Sequence, residues 1–384
     1  MTHYFDHNAT TPLSPPAREA WLAAQADFWQ NPSSLYRGAG AVKRRLEDAR
    51  EAFGEIFGCE AERIIFNSGA TEGCNRVLAH EARQAAPHAR ICLSAVEHSC
   101  VGSAAPKSFG ATGVSKLPVD SSGRLDLGEA LRVIEASRPT LVSVMAANNE
   151  TGVLQPWREL AEFCRSEGLR FHCDAAQWLG KMPPEGLAGC DWVTVSAHKF
   201  GGPKGVGLVI IPADVTRPLA LQAGGAQESG HRGGTEDFPG IAAMLAALET
   251  RIVDGDARGR DGFESALMAA VPGARLLGAK SPRLANTSMA VMPRHGNLKW
   301  LTRLDERGFA VSTGSACSAG RGNPSHTLAA MGLDPDEMGQ VLRFSSGPAT
   351  TSDEWLALAA ALEDCWKALQ GGNRSTTKVS LSNL

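Results

Sequence analysis

Lys199 closes the tetrapeptide Ser196-Ala-His-Lys, and the run Phe200-Gly-Gly-Pro-Lys-Gly-Val-Gly207 follows it directly. Trp192-Val-Thr-Val lies in front and Leu208-Val-Ile-Ile behind, so two short β-branched runs bracket the pair. This pattern predicts His198 and Lys199 at the end of a buried strand, beside a loop whose glycines let a ligand approach the backbone. A strand-end lysine has two readings. Its stem packs while its amine reaches water, or the amine forms a Schiff base with a carbonyl compound.

Other groups have similar double readings. Gly69-Ala70-Thr71 separates the apolar run Ile64-Ile-Phe66 from a helix expected from about Glu72. Its N–H groups and hydroxyl form either an anion seat or a helix cap alone. Asp174 follows Leu169-Arg-Phe-His-Cys173, and a carboxylate at a buried strand end needs a partner. That partner is a cofactor's pyridinium nitrogen or a structural salt bridge. His98 is a ring-stacking group or a satisfied core histidine. Arg343, in Val341-Leu-Arg-Phe-Ser345, is a strand arginine in a salt bridge or a bidentate clamp on a substrate carboxylate. Cys317 stands in Ser312-Thr-Gly-Ser-Ala-Cys-Ser-Ala-Gly320, small residues that neither pack a core nor shield sulfur. A thiol there reacts once deprotonated; the alternative is an incidental loop cysteine. An anion loop, a strand-end Asp, a stacking His and a Schiff-base Lys together meet the needs of pyridoxal phosphate. No GxGxxG or GxxxxGK[ST] run occurs, which disfavours dinucleotides and P-loop nucleotides.

The elements that must position these groups follow a rhythm. Strands are expected at Ile64–Phe66, Ile91–Ser94, Leu141–Met145, Leu169–Cys173, Trp192–Val195 and Leu208–Ile211, several of them separated by helical stretches. That alternation predicts a mainly parallel sheet covered by helices, with ligands outside the carboxyl ends of its strands. Earlier, a helix is expected from Pro15-Pro16, and Val42, Leu46, Ala49, Phe53 and Phe57 mark an amphipathic helix closed by Gly58. After about residue 255, helices near 260–271 and 297–307 mix with strands at Ser288–Met292, Ala310–Ser312 and Val341–Ser345, and a last helix spans Asp353–Leu369. The expected division is a large cofactor-binding domain over 15–255 and a small α+β domain from 1–14 and 256–370. The polar stretch 371–384 reads as a disordered tail.

These residues resemble the cysteine desulfurases, specifically the NifS/IscS-like group, over nearly the whole length. The matching pieces run in order from Asp6-His-Asn-Ala-Thr-Thr11 and Asn31-Pro-Ser-Ser34 to Ser68-Gly-Ala-Thr-Glu72, Glu97-His98 and Asn148-Asn-Glu-Thr-Gly152. His172-Cys-Asp-Ala-Ala-Gln177, Ser196-Ala-His-Lys199 with Gly202-Pro-Lys-Gly205, Gly224-Gly-Ala-Gln-Glu228 and Arg232-Gly-Gly-Thr235 follow. Gly314-Ser-Ala-Cys317, Pro324-Ser-His326 and Arg343-Phe-Ser345 complete the set.

The resemblance implies a fold-type-I pyridoxal-phosphate enzyme: a mainly parallel seven-stranded-type sheet with helices on both faces, plus the smaller α+β domain, usually as a homodimer. It implies conversion of L-cysteine to L-alanine with sulfur left on Cys317 as a persulfide. Sulfur would then pass to an acceptor protein, for iron–sulfur cluster assembly or another thio-cofactor. By match, Lys199 would carry the Schiff-base link, Asp174 would hold the pyridine nitrogen, His98 would stack on the ring and Gln177 would bond its phenolic oxygen. Ala70, Thr71, Ser196 and His198 would hold the phosphate, with Thr235 supplied across the dimer. Asn149 and Arg343 would orient substrate, Arg343 gripping its carboxylate. Departures are Tyr36 where the family more often has His, Gly73-Cys74 where it has Ser-Asn, and Asp237 in place of an Asn beside the phosphate motif. The spacing from Cys317 to Pro324-Ser-His resembles the group with a longer cysteine loop, which hands sulfur directly to a partner such as an iron–sulfur scaffold.

Two other readings compete. Another fold-type-I activity, such as a selenocysteine lyase or an amino-acid lyase, would need no reactive thiol at Cys317. A metal- or cluster-binding assembly protein would use several of the nine cysteines, at 59, 74, 92, 100, 164, 173, 190, 317 and 365. No two of them form a Cys-x-x-Cys pair, which argues against an intrinsic metal site and leaves Cys317 as a transient cluster ligand at most. Most read as reduced core cysteines. The 384 residues carry a net charge of −3, with 43% hydrophobic and 21% charged residues. That balance gives no pull toward nucleic acid or anionic membrane. No run approaches the roughly 18 apolar residues of a membrane span. The N-terminus lacks a basic region followed by an apolar core, so the expectation is a reducing cytoplasm.

Overall fold

The computed structural model describes residues 3–215, 217–219, 224–251, 255–314 and 325–371. Cys317, Pro324 and the tail from 372 on lie outside the described residues. In chain order the strands are β1 (His3–Tyr4), β2 (Ile64–Asn67), β3 (Ile91–Ser94), β4 (Val114–Leu117), β5 (Leu141–Ser143), β6 (Arg170–Asp174), β7 (Trp192–Ser196), β8 (Gly207–Ile210), β9 (Arg275–Leu276), β10 (Thr287–Val291), β11 (Phe309–Ala310) and β12 (Val341–Ser345).

Seven of these form one sheet in the order β2-β8-β7-β6-β5-β3-β4. The pairs from β7 through β6, β5 and β3 to β4 are parallel, whereas β8 runs antiparallel to both β7 and β2. The carboxyl ends of six strands therefore share one edge, joined there by the amino end of β8. Both faces are covered, which is why the inner strands are short, apolar and fully buried. Val193 and Val195 pack into one core with Val42, Leu46 and Phe53 of the helix Arg37–Phe57. Trp192 and Leu93 pack into another with Val77 and Leu78 of the helix Ala70–Gln84. A further core, built on Phe5, Phe263, Trp300, Phe344 and Trp355, lies under β1, β10, β11 and β12. There β12, β10 and β9 form an antiparallel sheet, and β1 pairs in parallel with β11.

The expected strands and the helices at Pro15–Asp27, Arg37–Phe57, Arg258–Ala270, Asn297–Asp305 and Ser352–Gly371 stand within a few residues of their sequence positions. Gly58 closes the second of these in the left-handed conformation, at φ 72°. Three features differ. The helix expected from Glu72 begins two residues earlier, at Ala70, because Gly69 reaches φ 136° and turns the chain at once. Strand β4, Val-Ser-Lys-Leu, is a half-exposed edge strand with no apolar run to announce it. The helix Phe238–Glu249 is apolar almost all round, so it has no amphipathic period to read.

Gly207 opens β8 opposite both Ser196 and Asn67. A Cβ there would lie 2.3 Å from the Val195 carbonyl oxygen and 2.5 Å from Gly69 Cα, so only glycine lets these strand ends close up. A buried ion pair fixes the neighbouring segment. Arg50 donates Nη1 to Glu228 Oε2 at 2.8 Å and Nη2 to Oε1 at 2.9 Å, and also bonds the Ile64 carbonyl. Phe66 N donates to the same Glu228 carboxylate at 2.8 Å. Helix 37–57, β2 and the 224–235 segment are thus tied at one point. Breaking a buried pair on one side costs about 3–5 kcal/mol, because the other charge is left uncompensated. Glu228→Gln is expected to lower stability by that order in urea unfolding; a loss below about 1 kcal/mol would show the pair to be dispensable.

Candidate active site

The strand ends and the N-terminal segment enclose a cavity of about 260 Å³ lined by Asn8, Ala70, Thr71, His98, Cys100, Asn149, Asp174, Gln177, Ser196, His198, Lys199 and Arg343, among others. Ten expected site residues therefore meet in one place. Thr235 does not: it is exposed and lines a separate hollow of about 150 Å³ with Glu228, Arg232 and Asp237. Asp237 there caps the helix Phe238–Glu249, accepting from Gly240 N at 3.1 Å. Cys317 falls outside the described residues. The flanks of its segment both meet Glu150: Ser325 Oγ donates to Glu150 Oε2 at 2.8 Å, and a Cβ on Gly314 would lie 3.3 Å from the same oxygen.

Lys199 Nζ donates to the carbonyls of Asn8 and Ala9 at 2.8 and 2.9 Å. Gln177 Nε2 donates to the same Asn8 carbonyl at 2.8 Å, while Gln177 Oε1 accepts from Lys181 Nζ. Burial, and the nearby charges of Lys199, Arg251 and Arg343, hold the Lys181 ammonium well below its ordinary pKa. Arg343 donates to Asp6 Oδ1 at 2.6 Å and to the Asn149 carbonyl at 2.9 Å. The salt-bridge reading of this arginine is the one seen here, and its Nε is buried with no acceptor among the described residues.

Asp174 is 4% exposed, and Oδ1 accepts from Ala176 N at 3.0 Å. Burial, with the Cys100 thiolate nearby, pushes its carboxyl up to about 7. A cationic N–H donor in the cavity would restore the ionised form. His98 Nδ1 lies 3.1 Å from Cys100 Sγ. That contact raises the imidazole to about 9 despite its burial. A hydrogen bond from the Cys74 thiol, with His98 beside it, holds the Cys100 thiol down to about 5. Cys74 is raised by the same contact and by burial.

At the outer end a second hollow, of about 360 Å³, shares Ala9, Thr71, Ser196 and His198 with the first and adds Ser68, Gly69, Glu72 and Lys204. Ser196 Oγ accepts from Ala70 N at 2.8 Å, which ties the start of the helix Ala70–Gln84 to β7. Burial, then Lys199 and Lys204, lower His198 to about 4, and its Nδ1 lies 3.1 Å from Thr10 Oγ1. Glu72 does not spoil this helix terminus for an anion. It accepts from Ser68 N at 2.9 Å, Arg76 Nε at 2.7 Å and Arg232 Nε at 3.3 Å.

The cavity fits pyridoxal phosphate in three respects. Asp174 is a buried carboxyl raised by burial, the Lys199 amine lines the same cavity, and a helix N-terminus with Ser196 and His198 closes the outer end. Sequence reasoning gave no site role to Asn8, Lys181 or Cys100. The Asp6–Thr11 match contained the signal for Asn8. Cys74 and Cys100 are buried free thiols in an apolar core, as expected, and they also touch Thr194, Asp174 and His98.

The family model for class-V aminotransferases matches residues 3–358. The chain belongs to that family. A cysteine desulfurase of Cereibacter sphaeroides is 40% identical over 362 residues, covering 91% of this chain and 92% of that protein. Among solved structures, a NifS-like protein superposes with a TM-score of 0.86 at 30% identity, covering 96% of this chain and 100% of its own. A structure described as SspA in complex with cysteine gives 0.78 at 28% identity, covering 91% and 100%. In this class-V chain the sheet and helix arrangement is that of pyridoxal-phosphate fold type I.

Glu72 supplies a test of the outer end. Burial alone would raise its carboxyl, but the Ser68 and Arg232 hydrogen bonds outweigh that and hold it at about 2, below its ordinary 4.5. A depressed carboxyl stabilises the fold above pH 4.5, and this contribution disappears as the pH falls toward 2. Glu72→Gln is expected to be less stable than the wild type at pH 7, with a flatter loss of stability across that acid window. Parallel acid-unfolding curves for the two proteins would refute the assignment.

Proposed function

We propose that the chain is a pyridoxal-phosphate-dependent cysteine desulfurase. The observation that carries the reading is one cavity lined together by Lys199, Asp174 and Arg343. The relatives named cysteine desulfurases support the substrate. The Ala70–Thr71 helix start, Ser196 and His198 would bind the phosphate, and Asp174 would hold the proton on the ring nitrogen. His98 would lie against the ring, and Gln177, oriented by Lys181, would stand at its phenolic oxygen. When bound, pyridoxal phosphate supplies a carbonyl for the substrate amine and a ring that draws electron density from Cα.

Around it the chain does the remaining work. Arg343 takes the substrate carboxylate, with Asn149 beside it. Lys199, once displaced by the substrate amine, moves the proton at Cα. Cys317 Sγ attacks the substrate sulfur: an S–S bond forms, the Cβ–S bond breaks and its electron pair stays with Cβ. Cβ takes up a proton, alanine leaves, and Cys317 holds the persulfide for an acceptor thiol. The acceptor we infer is a protein that builds iron–sulfur clusters or another thio-cofactor. The chain would act as a cytoplasmic homodimer in which Thr235 reaches the phosphate seat of the neighbouring subunit. The cofactor-binding unit would span 15–255, with 1–14 and 256–370 as the smaller one. Among the described residues no helix is long and apolar enough to cross a membrane.

A single-turnover reaction with L-cysteine tests the proposal, with alanine quantified and the Cys317 peptide weighed by mass spectrometry. Alanine and a one-sulfur adduct on Cys317 are expected in equal amounts. Lys199→Ala should abolish both, and Cys317→Ser should keep the yellow cofactor while losing sulfur transfer. Full alanine release by Cys317→Ser would overturn the role of that thiol.

A further inference from the structure

Two cysteines far apart in sequence meet at the inner end of the cavity. Cys74 Sγ, Cys100 Sγ and a carboxylate oxygen of Asp174 lie within 4.8 Å of one another, and all three residues are buried. Cys74 Sγ is 4.0 Å from Asp174 Oδ2 and 3.3 Å from Thr194 Oγ1. Three separate elements present these atoms: the second turn of helix 70–84, the short helix Ser99–Gly102 and the end of β6. The first is pressed onto the sheet, since a Cβ on the adjacent Gly73 would meet Val209 at 2.7 Å and Thr194 at 2.9 Å. Cys74 therefore has little freedom to turn away.

Tetrahedral zinc, with Zn–S near 2.3 Å and Zn–O near 2.0 Å, separates two sulfur ligands by about 3.8 Å and a sulfur from an oxygen by about 3.5 Å. The Cys74–Asp174 separation is already within about half an ångström of that figure. Two thiols select a thiophilic d10 cation over magnesium or calcium, and each loses its proton on ligation. Cys100 and Asp174 also line the cavity, so a fourth position opens onto it and can take water. The spacing of the cysteines along the chain gives no hint of this, because 25 residues and a strand intervene between Cys74 and Cys100.

We propose that Cys74, Cys100 and Asp174 form a three-ligand site for a thiophilic divalent cation of the zinc type, with its fourth position open to the cavity. The site itself stands on these three residues. Its consequence rests on the functional reading above: Asp174 cannot serve the ion and the ring nitrogen of pyridoxal phosphate together, so metal and cofactor exclude each other. By linkage, each lowers the other's affinity by the same factor. The metal-loaded chain is then a form that cannot take up its cofactor.

Cobalt(II) is the probe, added to the reduced full-length chain after removal of pyridoxal phosphate. One equivalent should give thiolate-to-cobalt charge-transfer and tetrahedral ligand-field bands, displaced by zinc(II). Cys74→Ala and Cys100→Ala should each lose the bands, whereas Cys317→Ser and Cys173→Ala should keep them. Zinc-edge X-ray absorption of the wild-type chain should count two sulfur and two lighter scatterers, a result independent of how any variant folds. A shell of oxygen and nitrogen only, or bands that survive in Cys74→Ala, would overturn the site. Bands of equal strength in the holoenzyme would overturn the exclusion. Desulfurase activity is read separately as alanine, so failure of the metal site and failure of the functional reading are distinguishable.

Discussion

The Asn8 carbonyl oxygen accepts from both Lys199 Nζ and Gln177 Nε2, and the geometry of the cavity depends on it. The rest of the same residue extends the connection. Its Oδ1 accepts from Lys181 at 2.9 Å, its Nδ2 donates to Thr287 Oγ1 at 2.9 Å, and its backbone N donates to Ser345 Oγ at 3.0 Å. One N-terminal residue thereby joins the amine wall to β10 and β12, which carry Thr287 and Arg343. Asn8 is 1% exposed, so none of these bonds competes with water. The amine donates to two neutral backbone carbonyls, which fix its position.

That choice shapes the electrostatics. Burial first, and then the nearby charges of Lys199, Arg251 and Arg343, depress Lys181. Against them stand Asp6, paired with Arg343, and the deeper pair of Asp174 and Cys100, with His98 beside Cys100. Buried charges are costly unless they are paired or hydrogen-bonded. Here positive groups gather where an anionic substrate would enter, and negative groups gather where a cationic ring nitrogen would end. Beneath Asp174, His172 bridges Ser143 at 2.8 Å and Thr194 at 3.1 Å, and burial keeps its imidazole neutral, at about 3. Both ring nitrogens of this buried histidine are thus hydrogen-bonded within the sheet.

Much of the site was legible because strand ends in a parallel sheet share an edge. Once Ile64–Phe66, Leu169–Cys173 and Trp192–Val195 read as parallel strands, Ala70, Asp174, Ser196, His198 and Lys199 had to be neighbours. Arg343 was legible as a salt-bridge arginine but its partner was not. Its Asp6 partner comes from a segment 337 residues away. Asn8 and Lys181 escaped notice because a lone asparagine in a polar run and a lone lysine between Gly180 and Met182 carry no periodic signal. β4 and the helix at 238–249 were missed for opposite reasons: the first is too polar and short, the second too uniformly apolar to show an amphipathic face.

The sequence by itself determined the layered α/β architecture and family membership, and it named the chemical groups at the strand ends. These follow from local patterns of apolar period, glycine and motif order. Only the tertiary structure decided which groups touch. It set Cys74 against Cys100 and Asp174, placed Thr235 outside the cavity of its own chain, and left Arg343 with one unspent donor. Those outcomes depend on how closely helices and strands approach across the sheet, as at Gly73 and Gly207, where even a single added methyl group would not fit. Contacts of that kind join residues distant in sequence, and burial then sets their pKa values, so neither spacing nor composition encodes them.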